Sequence, residues 1–110
     1  MKENLCYVSA IQKDKIIIKN NNKCKNKILK KLGACRKFYF SKIWYLSYSS
    51  EKELSINLQN LRNEGIMFSG GNKGWEPSDI YCYLRDKGKV FGKIYRLEWL
   101  NQDEFIKKEV

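Results

Sequence analysis

Histidine is absent from the 110 residues. Imidazole is therefore unavailable as general base or metal ligand, which removes most catalytic triads and most zinc hydrolase sites. Proline occurs once, at Pro77, and alanine twice. The four cysteines, Cys6, Cys24, Cys35 and Cys82, are separated by 18, 11 and 47 residues, so no C-x-x-C pair suggests a zinc ribbon or a redox centre. Reduced, buried thiols in a cytosolic protein are expected instead. No apolar run approaches the ~20 residues of a membrane span, and Met1-Lys2-Glu3-Asn4 leads into an alternating stretch, not the apolar core of a signal peptide. The expectation is a cytoplasmic protein with no membrane association, no metal site and no cofactor.

What is present suffices for a folded domain. Apolar residues make up 43%, with three Trp, seven Tyr and five Phe, despite a mean hydropathy of -0.61. The length suits one domain over residues 1–110. Lys and Arg total 22 against 12 acids, a net charge of +10, and such a balance seeks polyanionic partners. That charge is not spread evenly. Between Lys13 and Lys42 stand eleven basic residues and one acid, Asp14, so this stretch carries the whole +10 and the remaining residues sum to zero. Eighteen Lys against four Arg, with eleven Ile and ten Asn, also fit an AT-rich coding genome such as that of a phage or mobile element.

Leu5–Ile11 and Lys15–Lys19 read as a β-hairpin turning at Gln12-Lys13-Asp14. Asn20-Asn21-Asn22 offers caps for a helix running to Leu32, stopped by Gly33, with Cys24, Ile28, Leu29 and Leu32 facing inward and Lys23, Lys27 and Lys30 outward. Cys35–Phe40 and Ile43–Tyr48 follow as aromatic-rich strands joined by Ser41-Lys42. Ser50-Glu51-Lys52-Glu53 has the form of a capping box, and its helix presents Leu54, Leu58 and Leu61 before ending at Gly65. Ile66–Ser69 is a short strand and Gly70–Gly74 a flexible loop without the spacing of a phosphate-binding P-loop. Pro77 opens a third helix reaching Gly88, Val90–Trp99 is a last long strand, and Asn101 onward frays or turns.

From Lys15 to Ser69 the order is βαββαβ, so the expected class is α+β with a ferredoxin-like split βαβ layout, an N-terminal hairpin strand and a helix–strand extension over residues 70–110. Lys42-Ile43-Trp44-Tyr45-Leu46-Ser47-Tyr48, followed by a capped helix, resembles the third strand of RNA-recognition modules. That resemblance implies stacking of bases at the outward Tyr45. Trp44 stands where that motif prefers Gly, and the other outward positions, Ile43 and Ile17, are aliphatic. Ile28-Leu29-Lys30-Lys31-Leu32-Gly33-Ala34, a strand, Lys42-Ile43-Trp44-Tyr45 and a further helix are also similar to the HARP domain of annealing helicases. This likeness spans about half the chain and implies forked DNA as ligand, with Lys30, Lys31 and Trp44 in the carried-over positions.

These readings converge on a non-catalytic module that binds DNA or RNA with low sequence specificity, because Lys attracts backbone phosphate more than it reads bases. The candidate contacts are Lys19, Lys23, Lys27, Lys30, Lys31, Arg36, Lys37, Tyr39, Lys42 and Tyr45. The alternative is a small phage or mobile-element inhibitor that binds a host defence protein or a nucleoprotein complex of the CRISPR type. An enzyme would need Cys, Lys or carboxylate chemistry, and the acids that could pair, Glu76 with Asp79 and Glu98 with Asp103, suit helix caps and solvent equally well.

Overall fold

The computed structural model describes residues 5–36, 38, 41–70, 75–102 and 104–110. Strands β1 (Cys6–Ile11) and β2 (Lys15–Asn20) form the expected hairpin, closed by a hydrogen bond from the Gln12 N–H to the Lys15 carbonyl at 2.8 Å. Ser9 is an extra residue between Val8 and Ala10 that shifts the register. The next segment differs from the single helix expected. A 3-10 turn at Lys23–Lys25 leads into a six-residue helix, α1 (Asn26–Lys31).

Local asparagine bonding accounts for this. The Asn22 side chain accepts the Cys24 N–H at 3.0 Å, the Asn20 carbonyl oxygen accepts the Asn22 N–H at 2.9 Å, and the Asn20 amide donates to Asn26 at 2.7 Å. Such side chains compete with helical backbone bonding. Lys25 meanwhile donates to the Glu64 carbonyl at 2.9 Å. As a result Cys24 is exposed, and of the four expected inward residues only Leu29 is fully buried.

Strand β3 (Cys35–Arg36) is shorter than the run to Phe40 expected, and Lys37, Tyr39 and Phe40 lie outside the described residues. Strand β4 (Ile43–Ser47) turns Trp44 and Leu46 inward, and helix α2 (Glu51–Asn63) buries Leu54, Leu58 and Leu61, as their periodicities imply. The α2 cap is displaced by one residue from the usual box. Ser50 Oγ accepts the Glu53 N–H at 3.1 Å, but the Glu53 carboxylate reaches back to the Ser49 N–H and hydroxyl at 2.8 and 2.9 Å. Gly65, at φ +81°, ends the helix.

Strand β5 (Met67–Gly70) and helix α3 (Pro77–Asp86) follow, with Glu76 and Asp79 forming the cap of α3. The last segment again departs from expectation. Val90 and Ile94 are buried without belonging to a strand, and β6 (Tyr95–Trp99) pairs with a further strand, β7 (Phe105–Glu109), where only fraying or a final turn was expected. Asn101 turns the hairpin by accepting the Glu104 N–H at 2.9 Å.

The fold is α+β, with three α-helices and one mixed sheet among the described residues, in the order β3-β4-β2-β1-β5-β6-β7. This order is not the ferredoxin-like one, in which β5 would pair with β2. A strand has two edges, and β2 gives one to β4 and the other to its hairpin partner β1. Strand β5 therefore joins β1, in parallel. Strand β1, expected as an outer addition, is the middle of the sheet.

All three helices pack on one face. Leu29, Leu54, Leu58, Leu61, Tyr81 and Leu84 share a single core with Val8, Ile16, Ile18, Trp44 and Phe68. Fully burying one such side chain is worth about 1.5–3 kcal/mol, whereas the exposed pairing of Lys87 and Lys89 with Glu51, at 3.5 and 3.6 Å, contributes under about 1 kcal/mol. Apolar packing, not ion pairing, holds the helices on the sheet.

A Cβ at Gly70 would lie 2.3 Å from Arg96 Cδ and 2.5 Å from the buried Ser78 Oγ. Gly70→Ala is predicted to destabilise the protein by about 1–3 kcal/mol through overpacking, read as a lower urea midpoint. Burial pushes the Cys6 thiol up to about 12, against a smaller opposing effect of the Lys25 charge. At pH 8 Cys6 is accordingly neutral and shielded. Alkylation followed by peptide mass analysis should label the exposed Cys24 and Cys35 in native protein, and Cys6 only in denaturant.

Candidate nucleic-acid interface

The alternation of the strands divides the basic region between two sides of the sheet. In β2, Ile16, Ile18 and Asn20 point toward the helices, which leaves Lys15, Ile17 and Lys19 on the opposite, open face. Tyr45 stands on that face as well, opposite Ile17, with the Lys15 ammonium 5.6 Å from its ring centre. Lys27, Lys30 and Lys31 lie on α1, which packs Leu29 into the core on the helix side; all three are exposed. The open face and the α1 lysines thus present charge in different directions.

A third group forms where β2, β3 and β4 end. Lys23, Arg36 and Lys42 line a cleft of about 430 Å³ together with Asn20, Asn21, Asn22, Asn26 and Ser41. Arg36 has a second role, for its guanidinium lies 4.7 Å from the centre of the Trp44 ring and covers the only large aromatic of β4 on the helix side. Of the ten candidate contacts, the structure brings Lys19 and Tyr45 together on the open face. It gathers Lys23, Arg36 and Lys42 in the cleft, and Lys27, Lys30 and Lys31 on α1. Lys37 and Tyr39 lie outside the described residues.

The open face contains aromatic residues that the sequence reading did not select. Tyr7 in β1, Tyr95 and Trp99 in β6 and Phe105 in β7 all fall on it by register. Tyr7 and Trp99 have ring centres 5.8 Å apart at 53°, and Trp99 and Phe105 are 5.3 Å apart at 59°. These are the tilted arrangements that aromatic quadrupoles favour. Lys107 sits 5.3 Å from the Tyr95 ring centre. Desolvation raises the Tyr7 phenol above its ordinary value, so it remains a neutral hydroxyl at physiological pH. The available signal was the alternation Tyr95-x-Leu97-x-Trp99 followed by Phe105-x-Lys107, but it required β7 to be recognised as a strand.

The acids considered for catalysis have structural partners. Asp79 accepts the Glu76 N–H at 3.1 Å at the start of α3, and Glu98 pairs with Arg96 at 2.6 Å; Asp103 lies outside the described residues. The Gly70–Gly74 loop is described only at Gly70, and the first turn of α3 that follows it carries the Glu76 and Asp79 carboxylates, which oppose a bound phosphate. Among the described residues no three Cys, Asp or Glu side chains come together to hold a metal ion, and no helix is long and apolar enough to cross a membrane. Comparison with protein-family models, curated proteins and solved structures gives no match for this chain.

Arg36→Ala removes the cation over Trp44 and should lower stability by about 1 kcal/mol. The expected readouts are a reduced urea midpoint and a red shift in tryptophan emission as the indole gains solvent.

Proposed function

We propose that this protein is a non-catalytic nucleic-acid-binding module that holds its ligand by phosphate contacts, with little base specificity. The observation that carries the reading is the concentration of the entire +10 net charge between Lys13 and Lys42. Lys19, Lys23, Lys27, Lys30, Lys31 and Lys42 are all exposed, so their ammonium groups are available to displace condensed counterions from a phosphate backbone. Lysine predominates over arginine, which suits a point-charge attraction to phosphate more than bidentate recognition of guanine.

The cleft adds a geometric reason. Lys23, Lys42 and Arg36 converge there with asparagine and serine side chains, a donor-rich surface matched to phosphate oxygens. The lack of histidine favours binding over acid–base chemistry. The resemblances to RNA-recognition and HARP modules point the same way on the residues around Lys30, Lys31, Trp44 and Tyr45.

Replacing Lys23, Lys27 and Lys30 together by Glu should leave the melting temperature within a few degrees and abolish binding of labelled oligonucleotides in fluorescence anisotropy. For the unaltered protein, log K should fall linearly with log salt, by about 0.7–0.9 per phosphate contact. Unchanged affinity in the triple variant, or binding insensitive to salt, would overturn the proposal. A protein ligand retained at high salt after nucleic acid is lost would replace it with the inhibitor reading.

A further inference from the structure

Three helices cover one face of the sheet, and no described element covers the other. The strand positions on that open face include five aromatic residues, Tyr7, Tyr45, Tyr95, Trp99 and Phe105, and three lysines, Lys15, Lys19 and Lys107; Glu109 is the one carboxylate among them. An aromatic surface framed by cations, with one opposing charge, is complementary to a ligand that is itself aromatic and anionic. Nucleotides meet both conditions.

The face is also shaped. Tyr7 and Trp99 form the aromatic wall of a cleft of about 540 Å³ whose other sides are Ser9, Ser69, Leu100, Asn101, Gln102 and Lys19. The depression is shallow and open to solvent. Trp99 retains 38% of its surface exposed. Ser9 and Gln102 add hydrogen-bonding side chains to the lining, and Lys19, opposite Tyr7 in register, brings a positive charge to its rim. Asn101 and Glu104 bond each other at 2.6 Å and fix the turn beside it.

We propose that the Tyr7–Trp99 cleft seats an unpaired nucleobase, which makes the ligand single-stranded nucleic acid. A base within a duplex has both faces stacked and its pairing edge occupied, so it cannot enter such a cleft, whereas an unpaired base offers a free π-face to an aromatic ring. Tyr45, with Lys15 beside it, lies two strand spacings from Tyr7 and four from Trp99, roughly 10 and 19 Å. This gives an extended strand two stations across the sheet, with Lys19 between them. The inference deepens the nucleic-acid reading and rests on it.

The test compares fluorescein-labelled twelve-residue oligo(dT), oligo(U) and a twelve-base-pair duplex by anisotropy, titrated from low salt to about 150 mM. Trp99→Ala removes the ring, Trp99→Phe keeps a smaller one, and Tyr7→Leu removes the other wall while preserving apolar bulk; melting curves accompany each. The unaltered protein should bind single strands more tightly than duplex. Trp99→Ala and Tyr7→Leu should each lower single-strand affinity by roughly 5- to 100-fold, Trp99→Phe should restore most of it, and the salt slope should persist because the phosphate contacts remain. Duplex bound as tightly as single strand, or folded ring variants within two-fold of the unaltered protein, would overturn the base cleft while leaving phosphate binding in place. Absence of binding to every probe at low salt would overturn the underlying reading together with it.

Discussion

Val8 has an antiparallel neighbour, Ile18, on one side and a parallel neighbour, Phe68, on the other, and none of the three is accessible to solvent. The row continues through Trp44 beyond Ile18, so four apolar side chains from β4, β2, β1 and β5 lie abreast beneath the helices. Strand β1 is where the basic N-terminal half of the sheet meets the neutral C-terminal half. Without it, β2 and β5 would have no common neighbour, and the helices α2 and α3 would have no continuous surface to share. Beyond Phe68 the row passes to Arg96, where the close approach of Gly70 leaves room for the long side chain and Glu98 balances its charge.

The one-sided placement of the helices follows from that row and has a functional corollary. Once the apolar side chains of alternate strand positions are committed to the helix face, the positions between them must serve water or a ligand. On the β2 and β4 side these are mostly lysine, isoleucine and serine around Tyr45; on the β1, β6 and β7 side four rings stand with Leu97, Lys107 and Glu109. Leu97 is fully buried on this face although it is not part of the main core, so the open face holds a small apolar layer of its own. A surface of this kind couples charge supplied by one half of the chain to aromatic area supplied by the other.

Local features were legible in the sequence, and non-local pairing was not. The capped helix from Glu51, the proline-led helix from Pro77, the inward pair Trp44 and Leu46 and the localisation of charge all follow from short-range patterns. The helix expected over residues 23–32 was shortened because asparagine side chains at 20, 22 and 26 satisfy one another and the backbone. The strand order was mistaken for a specific reason, since a β1–β2 hairpin and a β2–β5 pairing cannot coexist with β2–β4. Strand β7 escaped notice because Phe-Ile-Lys-Lys-Glu has little apolar alternation, and with it went the assembly of Tyr7, Trp99 and Phe105 from distant parts of the chain. On the open face, Lys19 and Tyr45 were singled out from the sequence, and Tyr7, Tyr95, Trp99 and Phe105 were not.

The sheet ends in β3, two residues long, and in β7, where Lys107, Lys108 and Glu109 occupy the last three positions. Unpaired backbone at a sheet edge is a template on which another chain can add a strand. Among the described residues one margin is two residues long, and the other places two consecutive ammonium groups along any incoming segment. An added strand rich in lysine, such as a second copy of this chain would bring from its own margin, meets like charge there. Lysine at the rim thereby discourages these molecules from growing into fibrils edge to edge.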